Sequence, residues 1–369
     1  MANIRISSRY AGGNIRLLDH MGKEIHLEQE LRDTAQWWFY WSFRADSSLA
    51  ETIEFVFQNG EVIGPWGPAV SRDGISWRWL GREAVISPDR FLYTFAANET
   101  CYFCFSIPYQ MHHFESFYAT IDNHPLVKRE VLTLSDQLRP IPKLLLGNPQ
   151  ASEHLFLTAR HHACESTSSY VLEGLLEALL EPSSSLIFND YCIHVIPMVD
   201  IDGVENGDQG KARAPHDHNR DYIESPIYRA SDAIIREITA LGAIKAGIDF
   251  HCPYKWGGRN DVPFIVKKGP PVKQEIERFG ALLESTTSRQ DYDGQITYNS
   301  VHDIEMGEDW NQAHGTSGSD FFARQGAKLA FSFEIPYFGL EESMVSPVNC
   351  KKFGAAIAKS LELYLLSSE

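Results

Sequence analysis

His162, Glu165 and His251 offer the side chains from which a catalytic zinc site is built. His162-Ala163-Cys164-Glu165 sets an imidazole and a carboxylate three residues apart, and His251 lies far downstream in the run Asp249-Phe250-His251-Cys252-Pro253. Two imidazoles and one carboxylate hold Zn²⁺ while leaving a position open for water or substrate. An HxxE pair alone arises often by chance, so its surroundings decide its weight. Leu155 to Arg160 reads as a buried strand running straight into His162. After Glu165, Tyr170, Val171, Leu172, Leu175, Leu176, Leu179 and Leu180 recur at helical spacing. The first two ligands are therefore expected where a strand ends and a helix begins.

The same arrangement recurs twice. Ala246 to Phe250 is a short apolar run that terminates at His251, and Lys328 to Phe333 is another that terminates at Glu334. In α/β sheets, ligands and catalytic groups gather outside the carboxyl ends of the strands. Acid or imidazole groups at three such ends favour the zinc reading over surface decoration.

The elements that must position these groups divide the chain in two. At 369 residues the chain exceeds what one core usually fills. Up to about Tyr109 strand formers and turn residues alternate, in Gln36–Phe43, Thr52–Phe57, Ile75–Trp79, Phe91–Phe95 and Cys101–Ile107. That spacing predicts an antiparallel β-sandwich. Six of the eight tryptophans lie there, where core and interdomain packing is the commoner use of such residues. From Met111 onward strands and helices alternate, which predicts an α/β domain with a mixed sheet covered on both faces. Helices are expected after Glu165 and over Ile227–Ala240, Val272–Leu283 and Lys352–Leu366. Strands are expected near Lys143–Leu146, Ile187–Val199, Ile248–Phe250, Pro263–Val266 and Leu329–Phe333. Met111 to Leu126 reads as the connector, so the domains are placed at residues 1–115 and 116–369.

Composition excludes several functions. The net charge of −16, with no Lys/Arg-dense run, argues against a nucleic-acid partner. No apolar run approaches the ~20 residues that span a bilayer, and Met1 to Ile6 lacks a basic-then-apolar leader. Six irregularly spaced cysteines suit reduced thiols and a cytoplasmic location. Cys101-Tyr102-Phe103-Cys104 matches CxxC but lies in an aromatic, strand-like run without a second pair, so core cysteines are expected. Cys164 and Cys252 are read as small fillers beside the metal.

A second signal runs from Val199 to Tyr222. It holds turn residues and ends in Asn219-Arg220, a pair suited to clamping a peptide's terminal carboxylate, since arginine presents a rigid fork. His216 and His218 are spaced like a metal pair but lack a framework and are read as non-ligands. Asp217 fits better as an acceptor that orients a zinc-bound imidazole.

Taken in order, HxxE, Asp-His-Asn-Arg, Asp-Phe-His and Ser-Phe-Glu resemble the carboxypeptidase A-like zinc carboxypeptidases. Gln36 to Trp41, Gly67 to Gly74, Trp77-Arg78-Trp79 and Phe95 to Asn98 resemble the sandwich of the cytosolic carboxypeptidase branch. The resemblance covers nearly the whole chain. It implies one Zn²⁺ per chain on His162, Glu165 and His251, with Glu334 as general base. It also implies Asn219 and Arg220 as the grip on the substrate's C-terminal carboxylate. The partner is then the C-terminus of a peptide or protein, with no nucleic acid and no membrane. The family's carbonyl-polarising arginine is matched to Arg213, with Lys211 as the alternative. Its mobile tyrosine falls by gapless count on Gln312, a departure from the pattern. The cytosolic branch implies acidic C-terminal residues, for which Lys255 and Arg259 are candidate cations, while the counted specificity position near Ser319 is small and uncharged. A zinc amidohydrolase acting on acyl-amino acids and a non-catalytic binding protein are the alternatives.

Overall fold

The computed structural model describes residues 4–32, 34, 39–308 and 315–367. The fold is the α/β class expected from the sequence, with two five-stranded sheets followed by an eight-stranded mixed sheet. The first small sheet runs Ile4–Ser7, Ser42–Ser47, Glu99–Cys104, Ala69–Ser71, Arg78–Trp79, and the second Arg16–Met21, Glu24–Glu28, Glu51–Phe57, Arg90–Phe95, Val85–Ser87. Their shared core is aromatic: across the two sheets Phe43 meets Phe55 at 5.2 Å, and Phe91 meets Phe103 at 5.4 Å.

The sandwich departs from the sequence reading at three places. Glu24–Glu28 pairs with Glu51–Phe57 in parallel, so the second sheet is not wholly antiparallel. The strand expected over Ile75–Trp79 is reduced to Arg78–Trp79, because Asp73 accepts hydrogen bonds from the backbone N–H of Ile75 and Ser76 at 2.8 and 2.7 Å and turns the chain there. The expected strand over Gln36–Phe43 falls partly on residues 36–38, which lie outside the described residues, and the strand begins at Ser42. Cys101 and Cys104 are buried free thiols, as expected.

The large sheet has the order Val127–Leu134, Pro140–Gly147, Tyr191–Ile196, Glu153–Ala159, Ala246–His251, Leu329–Glu334, Phe264–Lys267, Ile304–Glu305. The four strands from Tyr191–Ile196 to Leu329–Glu334 are parallel. Apart from Glu153 and His154 at the start of one strand they are buried along their length, as parallel strands covered on both faces must be. After Glu153–Ala159 the chain first adds a strand on one side and later returns to add Ala246–His251 on the other. Such a reversal opens a crevice at the carboxyl ends of the two strands.

Helices Ser166–Leu179, Lys273–Thr287 and Pro347–Leu366 match the expected positions. Helix Met111–Ile121, read from sequence as part of a connector, spans the expected domain boundary. Between Ser166–Leu179 and Pro347–Leu366 the backbones touch. A Cβ on Gly174 would lie 2.0 Å from the Lys351 carbonyl oxygen, and one on Gly354 would lie 2.0 Å from that of Val171. Gly354→Ala is expected to destabilise the fold by about 1–3 kcal/mol through overpacking. The denaturation midpoint should fall with the slope unchanged; an unshifted midpoint would show that the helices do not meet here.

One continuous core joins the sandwich to the large sheet, from Ile4 through Leu365. Trp66 and Trp79 donate their indole N–H groups to the carbonyls of Phe338 and Val345, at 3.1 and 2.7 Å. Tryptophans of the sandwich thus pack against the segment that follows Glu334.

Candidate active site

Three adjacent strand ends converge. Glu153–Ala159 delivers His162 and Glu165 through a short turn, and Ala246–His251 and Leu329–Glu334 end directly opposite each other, His251 in register with Glu334. Glu165 immediately precedes the helix that begins at Ser166. Arg160, itself in the left-handed region at φ 63°, braces the turn from within. Its buried guanidinium donates to the carbonyls of Ala163 and Tyr109.

The side chains of His162, Glu165 and His251 close on one point. His162 Nδ1 lies 2.9 Å from Glu165 Oε1, and His251 Nδ1 lies 2.8 Å from Glu165 Oε2. The far nitrogens face carboxylates: His162 Nε2 is 3.4 Å from Asp217 Oδ1, and His251 Nε2 is 2.7 Å from Asp249 Oδ2. A carboxylate behind each imidazole fixes ring orientation and leaves Nδ1 to face a metal. Ligand atoms of the three residues lie within 4.8 Å of one another, a spacing that one ion can bridge.

Electrostatics agree with this donor set. Burial works against charge on both imidazoles, yet Glu165 and Asp217 hold His162 above its ordinary pKa, and Asp249 and Glu165 hold His251 well above it. Burial would raise the Glu165 pKa, but Lys211, His162 and His251 together hold it well below the usual carboxylate range. The pocket attracts positive charge, which suits a divalent cation. Glu334 differs: burial pushes it up to about 7, helped by Glu165 and opposed by His251. Its Oε2 is buried and has no hydrogen-bond partner among the described residues.

The loop after helix Ile201–Asn206 brings the remaining groups. Gly210, at φ +78°, runs so close to the HxxE turn that a Cβ would lie 2.3 Å from the Ala163 nitrogen. This approach carries Lys211 to the ligands, with Nζ 2.8 Å from Glu165 Oε1 and donating to the carbonyls of Cys252 and Pro253. Arg213 turns elsewhere, pairing with Asp200 at 2.8 Å and Asp208 at 3.5 Å. Asn219 accepts from the Gly318 N–H at 2.9 Å, and Arg220 donates to the Asn219 carbonyl at 2.9 Å. His216 bonds Asp221 at 2.7 Å and His218 stacks on Tyr228 at 3.8 Å, so neither faces the metal position.

His162, Glu165, His251 and Glu334, with Lys211, Arg213, His216, Asp217, Asn219 and Arg220, line one cleft of about 640 Å³, whereas His218 and Asp249 do not. Its far wall includes Ser317, Asp320 and Ser332. Ser319 is fully buried behind that wall, bonded to Ser332 at 2.8 Å. Lys255 and Arg259 do not line it: Lys255 donates to the Glu61 carbonyl, and Arg259 is exposed on a 3₁₀ turn. Gln312 lies outside the described residues; Tyr254 is the described tyrosine that lines the cleft. Cys164 and Cys252 are buried, bonded to Tyr337 and Thr167, and do not join the ligand group.

Sequence reasoning missed the outer network. Asp249 bridges His251 to His161 at 2.8 Å and to Thr158 at 2.8 Å, and His161 reaches the Tyr222 hydroxyl at 2.6 Å. Asp249 stands two residues before His251 on its strand, so both side chains lie on one side of the sheet. That period-two spacing was the available signal.

Comparison with known proteins fits this geometry. A family model described as zinc carboxypeptidase matches residues 119–256. Mouse cytosolic carboxypeptidase 4 is 31% identical over 216 residues, which is 53% of this chain and 18% of that protein. An uncharacterised protein of Zymomonas mobilis is 25% identical over 258 residues, covering 67% of this chain and 66% of its own length. The chain therefore spans less than two thirds of these relatives. A metallo-carboxypeptidase from Burkholderia cenocepacia shares the fold over 99% of this chain and 100% of its own, with a TM-score of 0.84 at 16% identity. A metallo-carboxypeptidase from Pseudomonas aeruginosa, solved with (2-guanidinoethylmercapto)succinic acid, does so at 0.79 and 19%, over 99% of this chain and 100% of its own. Residues 119–256 of the chain, which include His162, Glu165 and His251, thus match the zinc carboxypeptidase family model.

Proposed function

We propose that the chain is a zinc-dependent metallocarboxypeptidase that hydrolyses the C-terminal peptide bond of peptides or proteins. Convergence of His162 Nδ1, His251 Nδ1 and both oxygens of Glu165, beside the unpartnered Glu334 carboxylate, carries this reading. One zinc per chain would be held by His162, Glu165 and His251, with Asp217 and Asp249 orienting the imidazoles. When bound, zinc supplies a Lewis acid that activates water and polarises the scissile carbonyl. Glu334 would take a proton from that water and deliver it to the leaving amine. Asn219 and Arg220 would hold the substrate's terminal carboxylate. Of the two cations expected for the carbonyl oxygen, Lys211 is the better assignment, because it touches the ligand set while Arg213 is committed to two aspartates. A donor of this kind contributes about 3 kcal/mol in oxyanion sites.

In this reading residues 116–369 form the catalytic domain and residues 1–115 a sandwich that buttresses it. A cytoplasmic location belongs to the reading, supported by relatives named as cytosolic and by six buried free cysteines. Among the described residues no helix is long and apolar enough to cross a membrane. A preference for acidic terminal residues finds no support from Lys255 or Arg259.

Protein purified without added metal is expected to hold about one zinc per chain by elemental analysis, as a single three-ligand site requires. His162→Ala and His251→Ala should each lose it, and full metal content in both would overturn the assignment. Asp217→Asn should keep the fold and weaken zinc binding about 10–100-fold, measured by competition with a chelator. Unchanged affinity would remove Asp217 from its orienting role.

A further inference from the structure

A second group of metal-ligating side chains lies at the opposite end of the sheet. In the parallel pairing of Glu153–Ala159 with Tyr191–Ile196, His154 stands beside Cys192, and the period of two puts His194 on the same face. From His154 to the strand end at Ala159 is roughly 16 Å by strand rise, so this group is separate from the cleft. We propose that His154, Cys192 and His194 form a second metal site, for a borderline first-row divalent cation of the zinc class.

The donors are arranged as at the first site. His154 Nδ1 and His194 Nε2 are 3.1 Å apart, and ligand atoms of all three residues lie within 4.8 Å of one another. Two nitrogens bound tetrahedrally at 2.0–2.1 Å stand about 3.3 Å apart, so a small outward shift admits an ion. His194 is preset for ligation. Its Nδ1 faces Glu237 Oε1 at 2.7 Å and its Nε2 faces His154, the carboxylate-backed arrangement that suits an imidazole ligand. The ring is further held flat against Phe156, with centroids 4.5 Å apart and planes 14° apart. Lys143, at 2.5 Å, steadies the Glu237 carboxylate. Burial pushes the Cys192 thiol up to about 11. Binding would therefore release the thiol proton to solvent. His154 is only half-buried, which puts this group at the rim of the sheet's packing. Imidazole and thiolate donors together select zinc, cobalt or copper over magnesium or calcium.

The test is a Co²⁺ titration of the full chain carrying one zinc and no excess of it, under reducing conditions, reading thiolate-to-cobalt charge-transfer absorption in the near ultraviolet. The catalytic ligand set contains no thiolate, so the band reports on the second site alone. The expected result is a band that saturates near one Co²⁺ per chain. Cys192→Ser should abolish the band, and Glu237→Gln should weaken binding about 10–100-fold. Peptide turnover should persist in both variants and show that they fold. Absence of a band at saturating Co²⁺, or a band that survives in Cys192→Ser, overturns the proposal. Should Cys192→Ser fail to fold, His154→Ala on the half-buried rim takes its place, and a band of unaltered affinity there overturns it equally.

Discussion

Glu334→Gln is expected to lower peptide turnover by on the order of 10²–10⁴-fold while zinc content stays at the wild-type level. The amide keeps the shape of the carboxylate but cannot accept the water's proton. The position suits that experiment because Glu334 ends its strand opposite His251, is 4% exposed, and has an oxygen with no hydrogen-bond partner among the described residues. Nothing in the surrounding hydrogen bonding should collapse when that oxygen becomes an NH₂ group. Single-turnover rates and elemental analysis on one preparation decide the matter. Near wild-type turnover would remove Glu334 as the base, and loss of zinc would instead make it a ligand.

Amidation of a substrate's C-terminus is expected to reduce kcat/KM by roughly 30-fold to several thousand-fold. That range corresponds to loss of a buried charge-assisted pair of about 2–5 kcal/mol. A free carboxylate is the one group that distinguishes a chain end from every internal peptide bond. Arg220 lines the cleft and donates to the carbonyl of Asn219, and it forms no ion pair among the described residues, so its fork remains available to an anion. Arg220→Ala should then penalise free-acid peptides heavily and amidated ones little. Equal hydrolysis of both forms by the wild-type protein would show that it is not an exopeptidase of this kind and would favour an acyl-amino-acid hydrolase.

The residues proposed as ligands and base are legible because buried parallel strands read as unbroken apolar runs, and each run stops at a group able to do chemistry. His162, His251 and Glu334 are visible in that way without any partner in view. Lys211 was legible only as an alternative, since its approach to Glu165 depends on Gly210 letting one loop lie against another, a contact distant in sequence. The preference for Arg213 followed residue type alone and could not foresee Asp200 and Asp208 beside it. Strand Ile187–Val199 was read too long because apolar residues in the 3₁₀ turn Pro182–Asn189 resemble strand residues; the strand is Tyr191–Ile196. The sandwich strands before residue 36 escaped notice because Arg16–Met21 is an exposed edge without alternation.

Leu329–Glu334 comes late in the chain yet lies inside the sheet, between Ala246–His251 and Phe264–Lys267. During synthesis His162, Glu165 and His251 therefore emerge well before the strand that fills the gap beside them. A ribosome that stalls short of Lys328 leaves a product with His162, Glu165 and His251 but with an open sheet and no Glu334. Such a fragment is expected to be inert towards peptides, which an assay of a chain ending at residue 327 would check. In the proposed reading, turnover then waits on Leu329–Glu334, a strand made after the groups it completes.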